Sequence, residues 1–216
     1  MTLKEFLSET SFQLSPSADL LCDQGISIMN NAIDPMHDGD HINSMFTKLY
    51  DYMNEKNLTT RDLNLEVMLL SICWHDTWKA MKQPRGILDF MLHQLVEGVF
   101  SARNFQKAAI NTSLDNELIS EVSYATRKHS YLQFTAIKTP EAQLLWDIDT
   151  LEMWNIERYI KAGEEFFMIT RRRYQKFMEA YMKRQNKRFY TQWARSQFPI
   201  IKDDFFSRFS TEFSFV

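Results

Sequence analysis

Apolar residues recur at the three- and four-residue spacing of helical faces along most of this chain of 216 residues. One stretch carries Ile42, Met45, Phe46, Leu49 and Met53, which would share one buried face of a helix. Only five glycines and five prolines punctuate the whole length, whereas all-β folds need many tight turns. The pattern therefore predicts an all-α fold, and no segment shows the alternation that is typical of a β-strand.

Capping residues and helix breakers indicate where these helices begin and end. Thr139-Pro140-Glu141, for example, combines an N-cap, a first-turn proline and a first-turn acid. The sequence predicts a first helix that begins at Ser15 or Ser17 and ends at about Met29. Further helices are predicted over about 42–53, 62–76 with Asp62 as N-cap, 89–108, 115–128 and 139–152. A basic helix over about 158–188, a short helix over 191–197, a break at Pro199 and a last helix over 203–213 complete the prediction. We expect one domain, in which a basic helical extension, residues 158–216, packs on a core formed by residues 1–157.

Composition argues against a membrane protein and against a disulfide-bonded scaffold. The first residues carry acids and lack a long apolar run, so they do not predict a secretory signal. No apolar stretch reaches the roughly 18 residues that a membrane span needs. Two cysteines, Cys22 and Cys73, cannot build a disulfide framework. We therefore expect a cytoplasmic protein with reduced, buried thiols and no membrane partner.

The predicted extension is strongly basic. Between Arg158 and Arg195, eleven Lys and Arg stand against three Asp and Glu, a local charge of +8 in a chain whose formal net charge is −3. This segment is either a solvated helix face or a surface for an anionic partner such as a nucleotide phosphate, a nucleic acid or another subunit. The segment lacks the aromatic spacing of a nucleic-acid module, which argues against nucleic acid. The sequence does not specify an oligomeric state.

A histidine and an aspartate interrupt the most apolar predicted helix. The buried stripe that includes Ile72 and Cys73 continues to Asp76, with His75 beside it. A carboxylate at such a position is strongly unfavourable unless it is paired, hydrogen-bonded or bound to a metal. Adjacent residues reach one point only near a helix end, and the approaching Pro84 indicates that the helix does end. A hydrogen-bonded His–Asp pair and a pair of metal ligands both fit this pattern.

Two further segments place metal-competent side chains next to apolar stripes. His41 lies at the leading edge of the second predicted helix, and His37 and Asp38 in the preceding loop could orient it. Asp147 and Asp149 lie on either side of one isoleucine in an otherwise apolar helix. Taken alone, His41 could also be a capping or surface histidine, and one of the two aspartates could lie on a solvated helix edge.

Taken in chain order, His41, the pair His75-Asp76 and Asp149 resemble the H…HD…D signature of the HD superfamily of metal-dependent phosphohydrolases. The surrounding segments are similar to those of small bacterial HD proteins. They are Asp-Pro-x-His-Asp-x-x-His-Ile at 34–42, the apolar helix that ends in Trp-His-Asp at 65–76, Thr-Arg-Lys-His-Ser at 126–130 and Trp-Asp-Ile-Asp-Thr-Leu-Glu at 146–152. The resemblance covers residues 15–155 well and residues 186–213 loosely.

The resemblance implies an HD-type helical bundle in which four side chains hold a divalent ion, namely His41, His75, Asp76 and Asp149. Such ligands suit Mn²⁺, Fe²⁺, Co²⁺, Ni²⁺ or Mg²⁺, with one ion expected and two conceivable. The implied activity is hydrolysis of a small phosphorylated compound, such as a nucleotide, by a metal-activated water. Further candidate residues are Asp76 and His129 for catalysis, His37 and Asp147 as supports behind the ligands, and Lys79, Arg127 and Lys128 for binding the phosphate.

Departures from the family pattern keep two alternative functions open. Ser44 and Thr150 stand where the family commonly has arginine, and Thr77-Trp78-Lys79 replaces small residues after the His-Asp pair. These departures favour a catalytically weak, metal-bound module that senses a nucleotide or binds a partner. A di-iron oxygenase, which some HD proteins are, would instead need His93 and His129 as additional ligands.

Overall fold

The computed structural model describes residues 1–33, 37–59, 62–82, 87–130, 135–158, 180, 183–184 and 188–212. Its helices, in chain order, are α1 (Leu3–Thr10), α2 (Pro16–Asn30), α3 (Gly39–Glu55), α4 (Leu65–Trp74), α5 (Thr77–Ala80), α6 (Ile87–Ala109), α7 (Asn116–Lys128), α8 (Pro140–Glu152) and α9 (Gln192–Glu212). Within these ranges there are helices and no β-strand, so the predicted all-α class is confirmed. None of the described helices is both long and apolar enough to cross a membrane.

The chain forms two compact units, Met1–Trp146 and Asp147–Val216, and helix α8 runs across the boundary between them. In the first unit, α4 packs against α2, α3, α6 and α7. Every residue of α4 except Glu66 is buried. A helix that is apolar on all sides is typical of a protein core, and α4 carries the sequence that leads directly into His75 and Asp76.

The end of α4 is held in place by α2. The indole Nε1 of Trp74 donates a hydrogen bond to the carbonyl oxygen of Leu21 at 2.9 Å. One turn further along α2, the two backbones approach so closely that a Cβ atom on Gly25 would lie 2.6 Å from the carbonyl oxygen of Cys73. Only glycine fits this contact without displacing α4. The turn that follows α4 therefore starts from a tightly fixed position.

Cap hydrogen bonds confirm the predicted helix starts at Ser15, Asp115 and Thr139. The prediction that Asp62 caps α4 is wrong. Asn64 caps α4, because its side-chain oxygen accepts a hydrogen bond from the backbone N–H of Val67 at 3.3 Å. Asp62 instead accepts hydrogen bonds from the backbone N–H and the hydroxyl of Thr59, both at 2.7 Å. It closes the preceding turn, so the helix begins later than predicted.

The second unit has an aromatic core. The ring of Trp154 contacts Phe198 and Phe205 at centroid distances of 6.2 and 5.4 Å. The predicted break at Pro199 is wrong, because α9 continues through this residue. Proline inside a helix costs about 3 kcal/mol, and each buried phenylalanine contributes roughly 1.5–3 kcal/mol. Burial of Phe198 and Phe205 on either side of the proline offsets its cost.

The predicted basic helix falls almost entirely outside the described residues. Of the basic residues between 158 and 188, the structure describes four, which are Arg158, Lys183, Arg184 and Arg188. Arg158 is buried, whereas Lys183 and Arg184 are exposed.

Candidate metal centre

His75 and Asp76 lie in the turn that joins α4 to α5, as expected from the end of the apolar helix. His75 is the C-cap residue of α4, and Asp76 immediately precedes α5 with φ −110° and ψ 10°. This backbone conformation lies in the sparsely populated bridge region, where many active-site residues occur. Both side chains are buried, and His75 Nε2 lies 3.2 Å from Asp76 Oδ2. The turn therefore directs two neighbouring residues to one point.

His75 and His129 are oriented in the same way. Each is the C-cap residue of its helix, α4 or α7, and each ring points Nδ1 at the carbonyl oxygen three residues earlier, Ile72 or Thr126. A carbonyl oxygen only accepts hydrogen bonds, so Nδ1 carries the proton in both rings. In the neutral form of His75 this leaves the lone pair of Nε2 facing the site, which is the state that a metal ligand requires. Nε2 of His129 instead lies 3.2 Å from Oδ1 of Asp76, and it donates to this carboxylate.

His41 is positioned by the start of α3. The carboxylate of Asp38 is the N-cap and accepts a hydrogen bond from the backbone N–H of His41 at 3.1 Å. The ring of His41 is fully buried, and its Nε2 lies 3.0 Å from Nε2 of His75. Asp38 thus holds the backbone of His41 in the first turn of α3. The ring of His37 packs edge-on against that of His41 at 6.2 Å between centroids.

The carboxylate of Asp76 lies at the centre of the cluster. Its Oδ2 lies 3.2 Å from Nε2 of His75, 3.6 Å from Nε2 of His37 and 3.7 Å from Nε2 of His41. Its Oδ1 lies 3.2 Å from Nε2 of His129 and 3.9 Å from Nζ of Lys79. Burial by itself raises the pKa of Asp76, but the Lys79 ammonium, followed by His75 and His37, outweighs it and holds the pKa well below its usual range. The carboxylate therefore stays ionised.

The four residues of the H…HD…D order form one group that can hold a metal ion. The candidate ligand atoms of His41, His75, Asp76 and Asp149 all lie within 4.8 Å of one another. Three of these residues are buried, and Asp149, in the last turn of α8, is half-buried. Two donors bonded to one ion at about 2.1 Å and at right angles would lie about 3.0 Å apart. The 3.0 Å between the His41 and His75 nitrogens and the 3.2 Å between His75 and Asp76 fit this geometry.

Lys79 and Glu97 form a buried ion pair beside Asp76. Nζ of Lys79 lies 2.5 Å from Oε2 of Glu97, and Oε1 of Glu97 lies 4.0 Å from Nε2 of His129. Glu97 was not predicted as a site residue. The signal that could have found it is an acid in the run Leu95-Val96-Glu97-Gly98-Val99, where a charged side chain must be paired if it is buried. Glu97, on α6, therefore places a second buried carboxylate beside Lys79 and His129, and both of these residues also contact Asp76.

Asp147 forms its hydrogen bonds within the second unit. Its carboxylate accepts hydrogen bonds from the backbone N–H of Tyr190 at 2.9 Å and from the backbone N–H and hydroxyl of Thr191 at 2.7 Å each. Burial raises the pKa of Asp147 to about 6, against the opposing effect of these hydrogen bonds. The structure therefore places Asp147 at the start of α9, where it fixes the chain that leads into this helix.

The remaining predicted residues contact other parts of the first unit or are exposed. Arg127 is exposed, and Lys128 contacts the Thr135 hydroxyl and lies over the ring of Tyr124 at 5.7 Å. His93 pairs with Asp89 at 3.4 Å, and its ring packs against Trp78. Among the residues that the structure describes, His93 is not a member of the four-residue group.

Comparisons of this chain with protein-family models, with curated proteins and with solved structures gave no match. The resemblance to the HD superfamily therefore depends on the ordered residues and their sequence contexts.

Proposed function

We propose that this protein is a metal-dependent hydrolase of a small phosphorylated compound, such as a nucleotide. The observation that carries the proposal is the convergence of the two imidazoles of His41 and His75 with the carboxylates of Asp76 and Asp149. Two imidazoles and two carboxylates suit Mn²⁺, Fe²⁺, Co²⁺, Ni²⁺ or Mg²⁺ better than a metal that selects thiolates. The buried, unlinked cysteines Cys22 and Cys73 agree with a cytoplasmic location.

When bound, the ion would lower the pKa of a coordinated water molecule and orient it for attack on phosphorus. The chain's own residues prepare the site for it. His75 keeps its Nε2 lone pair available because its Nδ1 donates to Ile72. Asp76 keeps its charge because Lys79 lowers its pKa despite burial. These features pre-organise the ligands before the ion arrives.

Asp76 and His129 are the residues best placed to move protons. Oδ1 of Asp76 lies 3.2 Å from Nε2 of His129, and the Nδ1 proton of His129 is committed to Thr126. Attack of water on phosphorus breaks the P–O bond to the leaving group. In our proposal Nε2 of His129 gives its proton to the leaving oxygen and receives one from the attacking water, while Asp76 stays ionised, so the pair is unchanged after turnover.

Substrate would approach from the side of His37 and Lys79. The side chains of these two residues are 10% and 11% exposed, whereas those of His41 and His75 are fully buried. Lys79, with Arg127 and Lys128, remains a predicted contact for the phosphate group.

The test is a panel of chromogenic phosphoesters and nucleotides, assayed with added Mn²⁺, Co²⁺ or Ni²⁺ and again with a chelator. We expect slow hydrolysis that requires the metal and that is lost in Asp76→Ala. The control is Asp89→Ala on α6, which removes the partner of His93 outside the ligand group. Equal rates for wild type and Asp76→Ala with every metal would contradict the proposal.

One observation favours the alternative, a catalytically weak module that senses a nucleotide. The Lys79 ammonium, whose Nζ lies 3.9 Å from Oδ1 of Asp76, already has a buried carboxylate partner in Glu97. Nucleotide binding measured by calorimetry, without hydrolysis under any metal condition, would support this second function.

A further inference from the structure

Helix α6 carries a row of exposed apolar side chains on one side. The members of this α6 row are Leu92, Leu95, Val99 and Phe100, which are 59%, 47%, 38% and 36% exposed. The spacing of the first three places them on one side of the helix, with Phe100 at its edge. Glu97, which contacts Lys79, lies on the opposite, buried side. The α6 row therefore faces away from the part of α6 that contacts the metal centre.

The α6 row has the properties of an interaction surface. Contiguous apolar patches on a protein surface usually mark the binding site of a partner. The ring of Phe100 stacks on that of Trp78 at a centroid distance of 5.3 Å, and the guanidinium of Arg103 lies 5.4 Å from the same ring. Side chains that already hold fixed positions lose little conformational entropy when a partner binds. We infer that a second copy of this chain covers the α6 row, with the two α6 helices packed antiparallel.

The two ends of the α6 row carry opposite charges. Asp89 precedes Leu92 by three residues, and Arg103 follows Val99 by four. At about 100° per residue, both lie within about 60° of Leu92 around the helix axis. The side chain of Asp89 is 40% exposed beside its partner His93, so its carboxylate can accept further donors. An acid therefore stands at one end of the row and a base at the other.

This order of charges selects antiparallel pairing of two copies. With a two-fold axis near Leu95, Leu92 of one copy faces Val99 of the other, and Asp89 faces Arg103. Parallel pairing would instead place acid on acid and base on base, which is unfavourable. An interface between identical copies requires a surface that is complementary to itself. The α6 row meets this requirement, because antiparallel pairing matches both its apolar side chains and its charges twice.

The first experiment measures the mass of the full chain by sedimentation velocity over a range of micromolar concentrations. We expect wild type to reach twice the chain mass of 25.7 kDa. Leu95→Glu should be monomeric, because it places a charge at the two-fold axis. The matched control is Leu20→Glu on α2, where the leucine is 53% exposed, and this variant should remain dimeric. Circular dichroism checks that both variants are folded.

The second experiment tests the orientation of the helices by charge exchange. Asp89→Arg and Arg103→Asp each place like charges opposite one another, so each should raise the dimer Kd by at least about tenfold. The double variant restores the attraction and should return the Kd close to that of wild type. An equimolar mixture of the two single variants should form heterodimers, since every acid then faces a base.

A wild type that stays monomeric at all concentrations would overturn the inference and leave the α6 row to a different partner. A Leu95→Glu variant that remains dimeric would overturn it as well, because the copies would then associate through another face. Single charge variants that are weakened without recovery in the double variant would overturn the antiparallel pairing. None of these outcomes bears on the metal ligands, so the proposed function is tested separately.

Discussion

Nε2 of His41 lies 3.0 Å from Nε2 of His75, although the two rings belong to different helices and both are fully buried. The Nδ1 proton of His75 is held by Ile72, so its Nε2 presents a lone pair toward His41. Two buried ring nitrogens at this distance must share either a proton or a cation. Oδ2 of Asp76 lies 3.2 Å from the same nitrogen of His75. A cation bound at this point would therefore contact all three side chains.

The first prediction concerns thermal stability with and without metal. A metal that binds only the folded protein adds about 2.7 kcal/mol at a concentration of 100 times Kd, or roughly 5–10 °C in Tm for a chain of this size. We expect this increase on adding Mn²⁺ to wild type and none in His41→Ala, measured by differential scanning fluorimetry. The control His93→Ala should keep the increase, because His93 pairs with Asp89 outside the ligand group. An undiminished increase in His41→Ala would contradict the assignment.

The sequence predicts the all-α class and most helix starts because caps and periodicity are local signals. It also predicts the four grouped residues, since their order and contexts resemble a known signature. It does not predict Glu97, because pairing of Glu97 with Lys79 depends on how α5 packs on α6. The N-cap at Asn64 was missed because Asp62 is used in the turn with Thr59, which is a choice between two local patterns. The uninterrupted helix at Pro199 was missed because Phe198 and Phe205 pack on Trp154, which is distant in sequence.

Asp147 and Asp149 should respond differently to the same substitution. Asp149→Asn removes a charged ligand and should abolish most metal binding. Asp147→Asn should leave metal content close to that of wild type and lower the free energy of unfolding by about 1–3 kcal/mol, because one amide cannot accept every hydrogen bond from Tyr190 and Thr191. Elemental analysis and urea denaturation measure the two effects. The opposite pattern would mean that the two roles are exchanged.

Gly25 should tolerate no side chain. A Cβ atom there would lie 2.6 Å from the carbonyl oxygen of Cys73, so Gly25→Ala must push α2 away from α4. We expect a loss of about 1–3 kcal/mol in the free energy of unfolding, despite the higher helix propensity of alanine. Gln24→Ala, at an exposed neighbouring position, should change it by less than about 0.5 kcal/mol. A Gly25→Ala variant as stable as wild type would contradict the described packing.

The two cysteines should be unreactive in the folded protein. A hydrogen bond to Cys73, together with burial, raises the pKa of the Cys22 thiol well above its ordinary value, so it stays protonated at pH 8. Only the thiolate is nucleophilic. We expect negligible reaction with an aromatic disulfide reagent at pH 8 in the native state and two reactive thiols per chain in denaturant. Rapid modification of native protein would show that α2 and α4 do not enclose these groups.

The metal content of the purified protein tests the central claim most directly. Elemental analysis of wild type and of Asp76→Ala, both dialysed against metal-free buffer after loading with Mn²⁺, gives the number of ions per chain. We expect one ion in wild type and less than about a tenth of that in Asp76→Ala, because removal of Asp76 deletes the carboxylate at the centre of the cluster. No retained metal in wild type, or equal metal in the two proteins, would contradict the account.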